Sequence, residues 1–258
     1  MSDLAPDWLT PDWPAPALVR AAFTLRTGGV SAPPFESLNV GAHVGDHPEA
    51  VAENRGRIMR RLELPGEPAW VEQVHGHEIA DLDGARATAP ADASFTRVAG
   101  RVCAIQVADC LPVLLAARNG SAVAAAHCGW RGLAGGVLEA TLAALRLPGG
   151  ELYAWLGPAI GPGAFEVGAE VRAAFLAQDP RAATAFTANS RGRWQCDLFA
   201  LARQRLAKLG VSAVYGGGVC THDDPQRFFS YRRDGRCGRM AALIWLTRAP
   251  LGQARAAC

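Results

Sequence analysis

Two imidazoles and one thiol stand at the ends of apolar runs in this sequence: His75, Cys110 and His127. Val71-Glu72-Gln73-Val74-His75-Gly76 closes the first run. Val107-Ala108-Asp109-Cys110-Leu111-Pro112 closes the second, and Ala124-Ala125-Ala126-His127-Cys128-Gly129-Trp130-Arg131-Gly132 the third. Each run delivers one soft ligand into a turn containing Gly or Pro, and ligand sites of open α/β sheets gather at such strand ends. A His₂Cys set with a fourth position left open is the pattern of a catalytic zinc. Such an ion holds the cysteine as thiolate and lowers the pKa of a bound water to about 7. The three residues lie 35 and 17 positions apart and follow no local metal signature. The plain alternative is two hydrogen-bonded histidines and a packed thiol. His77 reads as a surface residue, and Cys128 as packing.

Other chemistries lack their marks. There is no G-x-x-x-x-G-K-[ST] loop, no G-x-G-x-x-G after a strand, no G-x-S-x-G and no H-E-x-x-H. The seven cysteines include no C-x-x-C pair. With an N-terminus that is acidic and broken by Pro, they read as reduced thiols of a cytoplasmic protein. No apolar run reaches 18 residues, which excludes a transmembrane helix. A formal net charge of +2 marks no nucleic-acid binder. Half of the 258 residues are apolar and 19% are charged, enough for a sizeable core and too little charge for a disordered chain. No heptad or obvious patch separates a monomer from a homodimer.

The elements that must position these residues mix irregularly. Gly 28 and Pro 17 predict many shaped turns. Residues 1–20 are rich in Pro and Trp and read as a segment wrapping the surface. Residues 26–48 read as loop. A helix is expected next, capped by Asp46, with Pro48 in its first turn and Val51, Ile58, Met59 and Leu62 on one face. Short apolar runs predict strands over 69–74, 101–107, 113–117, 122–126, 151–156, 211–215, 227–231 and 241–246. Helices are expected over 133–147, 168–178 and 197–209, the last capped by Asp197 and ended by Gly210. The sum is one α/β or α+β domain over residues 1–258, with a large, partly antiparallel sheet and no linker.

The motifs themselves resemble the YfiH-like family, which carries three names: multicopper polyphenol oxidoreductase (laccase-like), purine nucleoside phosphorylase and peptidoglycan editing factor. Arg26-Thr27-Gly28-Gly29-Val30-Ser31, Leu38-Asn39-Val40 and Gly45-Asp46 match its N-terminal signature. The blocks around His75, Cys110 and His127 are its most specific, and Gly157-Pro158-Ala159-Ile160, Phe229-Ser230-Tyr231-Arg232-Arg233-Asp234 and Gly238-Arg239 complete it. Cys128 stands where a small Ala is usual, and Cys237 where Thr is common. The resemblance implies a layered α/β/β/α sandwich akin to Cys–His deamidases, with His75, Cys110 and His127 as zinc ligands.

The three names conflict, and ligand counting arbitrates in part. A multicopper oxidase needs roughly ten histidines. This chain has six: His43, His47, His75, His77, His127 and His222. A single copper on the His₂Cys set stays open, because copper out-competes zinc for such ligands. The resemblance implies a zinc-dependent enzyme that phosphorolyses adenosine, inosine, guanosine and methylthioadenosine and deaminates adenosine. Phosphate then needs guanidinium groups, for which Arg26, Arg131, Arg232 and Arg233 are candidates; for at least half of them an ordinary surface charge or salt bridge is expected. Asn39, Gln73 and Ser230 are candidates for ribose hydroxyls or base edges, and Asp109 for a proton shuttle or a partner of the metal ligands. The rival is a cysteine hydrolase acting on a peptidoglycan precursor, with Cys110 as nucleophile and His127 or His75 as base. A non-catalytic binding protein is the third reading.

Overall fold

The computed structural model describes residues 8–84 and 90–248. In chain order its elements are β1 (Trp8–Leu9), β2 (Val19–Thr24), α1 (Pro48–Arg61), β3 (Pro68–Trp70), β4 (Ile79–Asp81), β5 (Ala93–Thr96), β6 (Val102–Val107), β7 (Leu111–Ala117) and β8 (Val123–Cys128). There follow α2 (Trp130–Gly135), α3 (Val137–Leu145), β9 (Leu152–Leu156), β10 (Glu166–Val167), α4 (Ala169–Leu176), β11 (Phe186–Ala188), β12 (Trp194–Cys196), α5 (Leu198–Lys208), β13 (Ala213–Gly216), α6 (Tyr231–Asp234) and β14 (Met240–Leu246).

Two large sheets form the centre. One runs β1-β2-β14-β6-β3 and the other β13-β9-β7-β8-β5-β4; a small sheet, β10-β12-β11, lies apart. The central strands are apolar at every position because both faces are covered: β6, β7, β8 and β14 are buried throughout. Phe23, Ile105, Val107 and Ile244 meet Leu114, Ala116, Val123 and Ala125 between the sheets. The outer face of the five-stranded sheet takes Val40 and Ile58 of the α1 layer. The outer face of the six-stranded sheet takes Leu133, Leu138, Val171 and Leu201 of α2 to α5. The result is the α/β/β/α sandwich.

Several expected boundaries move for identifiable reasons. The helix expected over 133–147 is two, because Gly136 turns left-handed at φ 93° between α2 and α3. Asp46 does not cap α1; His47 holds that position, and Asp46 accepts bonds from Ser31 Oγ and Asn39 Nδ2. Asp197 does cap α5, accepting from the Ala200 amide at 2.9 Å. β3 stops at Trp70 rather than residue 74, and the Gln73 side chain pairs with β6 in its place. Its Nε2 donates to the Gln106 carbonyl at 2.9 Å, and its Oε1 accepts from the Gln106 amide at 2.7 Å. Residues 227–231 form no strand. Phe228 and Phe229 are fully buried as loop residues, and Ser230 caps the short α6. Of the segment expected to wrap the surface, Leu9, Trp13 and Ala15 pack against the inter-sheet core, while residues 1–7 lie outside the described residues.

Candidate metal centre

Cys110 lies where the chain passes from one large sheet to the other. β6 ends at Val107 in the five-stranded sheet, and β7 starts at Leu111 in the six-stranded one. Asp109 makes that turn with a left-handed φ of 88°, a conformation that Asp tolerates better than most residues. In β8, Cys128 pairs with Leu111 and His127 with Pro112, which carries the end of β8 past Cys110. Gly129 therefore faces the thiol: a Cβ there would sit 2.9 Å from Cys110 Sγ and 3.2 Å from His75 Cδ2. His75 enters from the loop after β3, itself left-handed at φ 61°. Its Nε2 lies 3.9 Å from Cys110 Sγ, and its ring stands edge-on to His127 with centroids 4.8 Å apart. One ligand atom from each of His75, Cys110 and His127 lies within 4.8 Å of the other two. Among the described residues this is the one such group of His, Cys, Asp and Glu.

A fourth residue, which no sequence motif marked, builds the site. Asp92 is completely buried and sends one carboxylate in four directions. Oδ1 accepts from the His75 amide at 2.9 Å and lies 2.8 Å from His127 Nδ1. Oδ2 accepts from the Val74 amide at 3.1 Å and the Gly76 amide at 2.6 Å. Three successive amides thus wrap one carboxylate and hold His75 in its left-handed turn. The same carboxylate accepts a hydrogen bond from the Nδ1–H of His127 and leaves Nε2 to face the thiol. Its only sequence signal is an acidic residue within an otherwise uncharged run, Pro90–Thr96.

The electrostatics of the metal-free site follow from these contacts. Burial pushes the Cys110 thiol up, but the imidazolium of His127 and hydrogen bonds from both histidines outweigh it and bring the pKa down to about 6. Burial lowers His127, yet the Cys110 thiolate and Asp92 raise it to about 9. Burial likewise opposes the charge of Asp92, and His127 with the backbone amides hold it below the usual carboxylate range. The three donors fit a small soft cation. A tetrahedral zinc with Zn–N near 2.05 Å and Zn–S near 2.3 Å sets its N and S ligands about 3.6 Å apart, close to the 3.9 Å between His75 Nε2 and Cys110 Sγ.

The other expected site residues fall into two groups. Most spend their polar atoms on the fold. Arg26 donates to the carbonyls of Glu36 and Pro225. Asn39, fully buried, bonds Gly41, Asp46 and the Arg239 amide. Gln73 pairs with Gln106 as above, and Arg233 donates to the carbonyls of Thr221, His222 and Phe228. The Asp109 carboxylate accepts from Thr221 Oγ1 at 2.7 Å, Ser230 Oγ at 3.0 Å and the Arg232 amide at 2.7 Å. It ties residues 221–232 to the Cys110 turn. The second group keeps donors in hand. Arg131 is exposed, directly after the His127 strand, with its guanidinium over the Trp130 ring at 4.5 Å. Arg232 is exposed and uses one donor, on the Glu166 carbonyl. His77 is exposed beside Glu78, and Cys128 is fully buried in the outer core.

A family model described as multi-copper polyphenol oxidoreductase laccase matches residues 20–247. The chain belongs to that family. Its relatives in this laccase-like family include a Pseudomonas aeruginosa protein named purine nucleoside phosphorylase, 57% identical over 240 residues, with 93% of this chain and 98% of that one covered. Escherichia coli YfiH carries the same name and is 52% identical over 239 residues, covering 92% and 98% of the two chains. The crystal structure of a Neisseria meningitidis protein superposes with a TM-score of 0.89 at 50% identity, over 94% of this chain and all of that one. That of YlmD from Geobacillus stearothermophilus gives 0.87 at 33% identity, over 96% and 98%. The family's descriptive name implies several coppers, whereas the described residues offer one three-ligand group.

Proposed function

We propose that this chain is a zinc-dependent purine nucleoside phosphorylase in which residues 1–258 act as one cytoplasmic catalytic unit. The observation that carries the reading is the convergence of His75, Cys110 and His127 on one point, with Asp92 fixing two of them, together with relatives that bear this activity as their name. His75, Cys110 and His127 would hold zinc, which would supply a Lewis acid there, and copper would be the alternative ion for the same donors. In the reaction the bond between the purine nitrogen and ribose C1′ breaks, a phosphate oxygen bonds to C1′, and the base leaves with the glycosidic electron pair and takes up a proton. The products are a free purine and a pentose 1-phosphate. The nucleosides are adenosine, inosine, guanosine and methylthioadenosine, and the second activity is hydrolytic deamination of adenosine, in which water displaces the C6 amino group and ammonia leaves.

The protein's own residues supply position and charge. Asp92 keeps the His127 tautomer and the His75 turn ready before any ion arrives. Asp109 holds the segment of Ser230 to Arg232 against the Cys110 turn, and Arg131 follows His127 by four residues. Arg26, Asn39, Gln73 and Ser230 shape the wall through their bonds to the fold. The test compares metal content and purine release from inosine with phosphate for wild type, His75→Ala, Cys110→Ala and His127→Ala. Loss of metal and a similar loss of rate in all three is the expected result, because ligands of one ion act as a unit. Full phosphorolysis by Cys110→Ala would sink the reading.

One observation favours a second reading. Cys110, His127 and Asp92 stand in the order nucleophile, base and orienting carboxylate, with a thiol already acidic in the metal-free site. A cysteine hydrolase acting on a peptidoglycan precursor fits that order. Chelation that abolishes activity supports zinc chemistry; a covalent adduct on Cys110 formed by substrate in metal-free protein supports the hydrolase.

A further inference from the structure

The end of the five-stranded sheet near the candidate ligands also carries two guanidinium groups with N–H donors to spare. Met240 of β14 pairs with Val107, which sets Arg239 across from Ala108, two residues before Cys110. On the other side of β6, Gln73 is locked to Gln106, two residues before His75. Arg239 and the His75 segment thus flank the same strand end, two strand spacings of about 4.8 Å apart.

Arg239 is built into place. Its stem lies on Gly41, where a Cβ would meet Arg239 Cγ at 2.7 Å. Nη1 donates to the Cys237 and Gly238 carbonyls, both at 3.0 Å. Nε and Nη2 make no hydrogen bond to the described residues, and this pair of parallel N–H groups is the fork that grips an oxyanion. The guanidinium carbon lies 5.8 Å from the ring of Tyr231, which is 60% exposed, so the fork borders solvent. Arg55 reaches the same loop. Its Nε and Nη2 grip the Val40 carbonyl at 3.0 and 2.9 Å over the Trp70 ring, and its Nη1 is left without a partner among the described residues.

His43 sits on that loop. Burial, Arg239, Arg55 and His75 all hold its pKa below the usual value, with no carboxylate among those influences. Glu67 acts on Arg55; Asp46 is engaged by Ser31 and Asn39. Gln106 pairs with Ala241 and so shares a sheet face with Arg239; its buried Oε1 has no partner among the described residues. Arg239 and Arg55 thus keep N–H donors in hand beside His43, and such donors gain from a mobile anion.

We infer that Arg239, Arg55 and His43 form the cradle for inorganic phosphate beside the His75–Cys110–His127 centre. The identity of the anion rests on the phosphorylase reading above. Two guanidinium groups and a neutral imidazole donate to the phosphate oxygens. None of Arg26, Arg131, Arg232 and Arg233 belongs to this cradle.

The test is calorimetric titration of the zinc-loaded protein with inorganic phosphate, beside the KM for phosphate and for inosine in phosphorolysis. Arg239→Ala is expected to raise the Kd and KM for phosphate about 10- to 100-fold, the usual effect of losing a charge-assisted pair. Arg239→Lys recovers part of that loss, because an ammonium lacks the fork. His43→Ala removes a loop side chain that makes no hydrogen bond to the described residues, and is expected to raise both values about three- to tenfold. Zinc content and the KM for inosine stay at wild-type levels in all three. Wild-type phosphate affinity in both Arg239→Ala and His43→Ala overturns the cradle. So does failure of the wild type to bind phosphate, including the case where a nucleoside 5′-monophosphate binds and free phosphate does not. Phosphate binding that depends on Arg239, in a protein that releases no purine, upholds the cradle and removes the phosphorylase reading instead.

Discussion

Asp92 and His127 are joined by a 2.8 Å contact between carboxylate and imidazole, with both side chains buried. The same carboxylate binds the amides of Val74, His75 and Gly76. Asp92→Asn keeps the shape but offers one acceptor oxygen for four donors. Zinc affinity, measured by competition with a chromophoric chelator, is expected to fall about 10- to 100-fold. Metal-free stability in urea is expected to drop by about 1–3 kcal/mol, the cost of leaving buried donors unpaired. Unchanged metal affinity would show that the contact does not position the ligand.

Gly129 faces Cys110 Sγ with room for no Cβ. Gly129→Ala is therefore expected to displace the thiol or the His75 ring and to lower the zinc content, while the circular dichroism of the sandwich persists. Wild-type zinc content in this variant, measured by atomic emission, would contradict the packing described.

In metal-free protein the Cys110 thiol has its pKa lowered to about 6. The thiolate thus forms as pH rises through that value and is lost below it. Iodoacetamide labelling of Cys110, followed by peptide mass spectrometry, is expected to rise with a midpoint near pH 6. Cys103 and Cys196, pushed by burial to about 12, are expected to stay unlabelled at neutral pH. Zinc added first should protect Cys110. A midpoint near the unperturbed value of about 8.5 would mean that the imidazolium is not beside the sulfur.

Asp109 is next to a ligand in sequence, yet its carboxylate bonds Thr221, Ser230 and the Arg232 amide. Asp109→Asn is expected to keep zinc and to loosen residues 221–234, read as faster amide exchange in that segment. Loss of zinc with exchange unchanged would reverse the assignment.

The grouping of His75, Cys110 and His127 was legible because each stands just before a break at Gly or Pro, although His75 enters from a loop rather than a strand. Asp92 was not, since its importance arises from three amides of a distant loop and a histidine on a neighbouring strand. The bonding of the arginines was not legible for a related reason. Guanidinium groups at 26 and 233 satisfy backbone carbonyls that exist only after folding, while Arg239 and Arg55, which keep donors free, lie outside the His and Cys blocks. Helices over 48–61 and 198–208 follow their apolar periods closely. The small sheet of two- and three-residue strands has no period long enough to read, and Gly136 divides a run whose apolar spacing continues through it.

Because a single buried carboxylate braces both the loop of His75 and the ring of His127, the donors are gathered by the folding of the chain itself. Emptying the site should leave a preformed socket that refills quickly and without a folding transition, unlike small zinc modules that collapse when stripped. An ion held there would then be a replaceable reagent, its identity following supply as much as architecture.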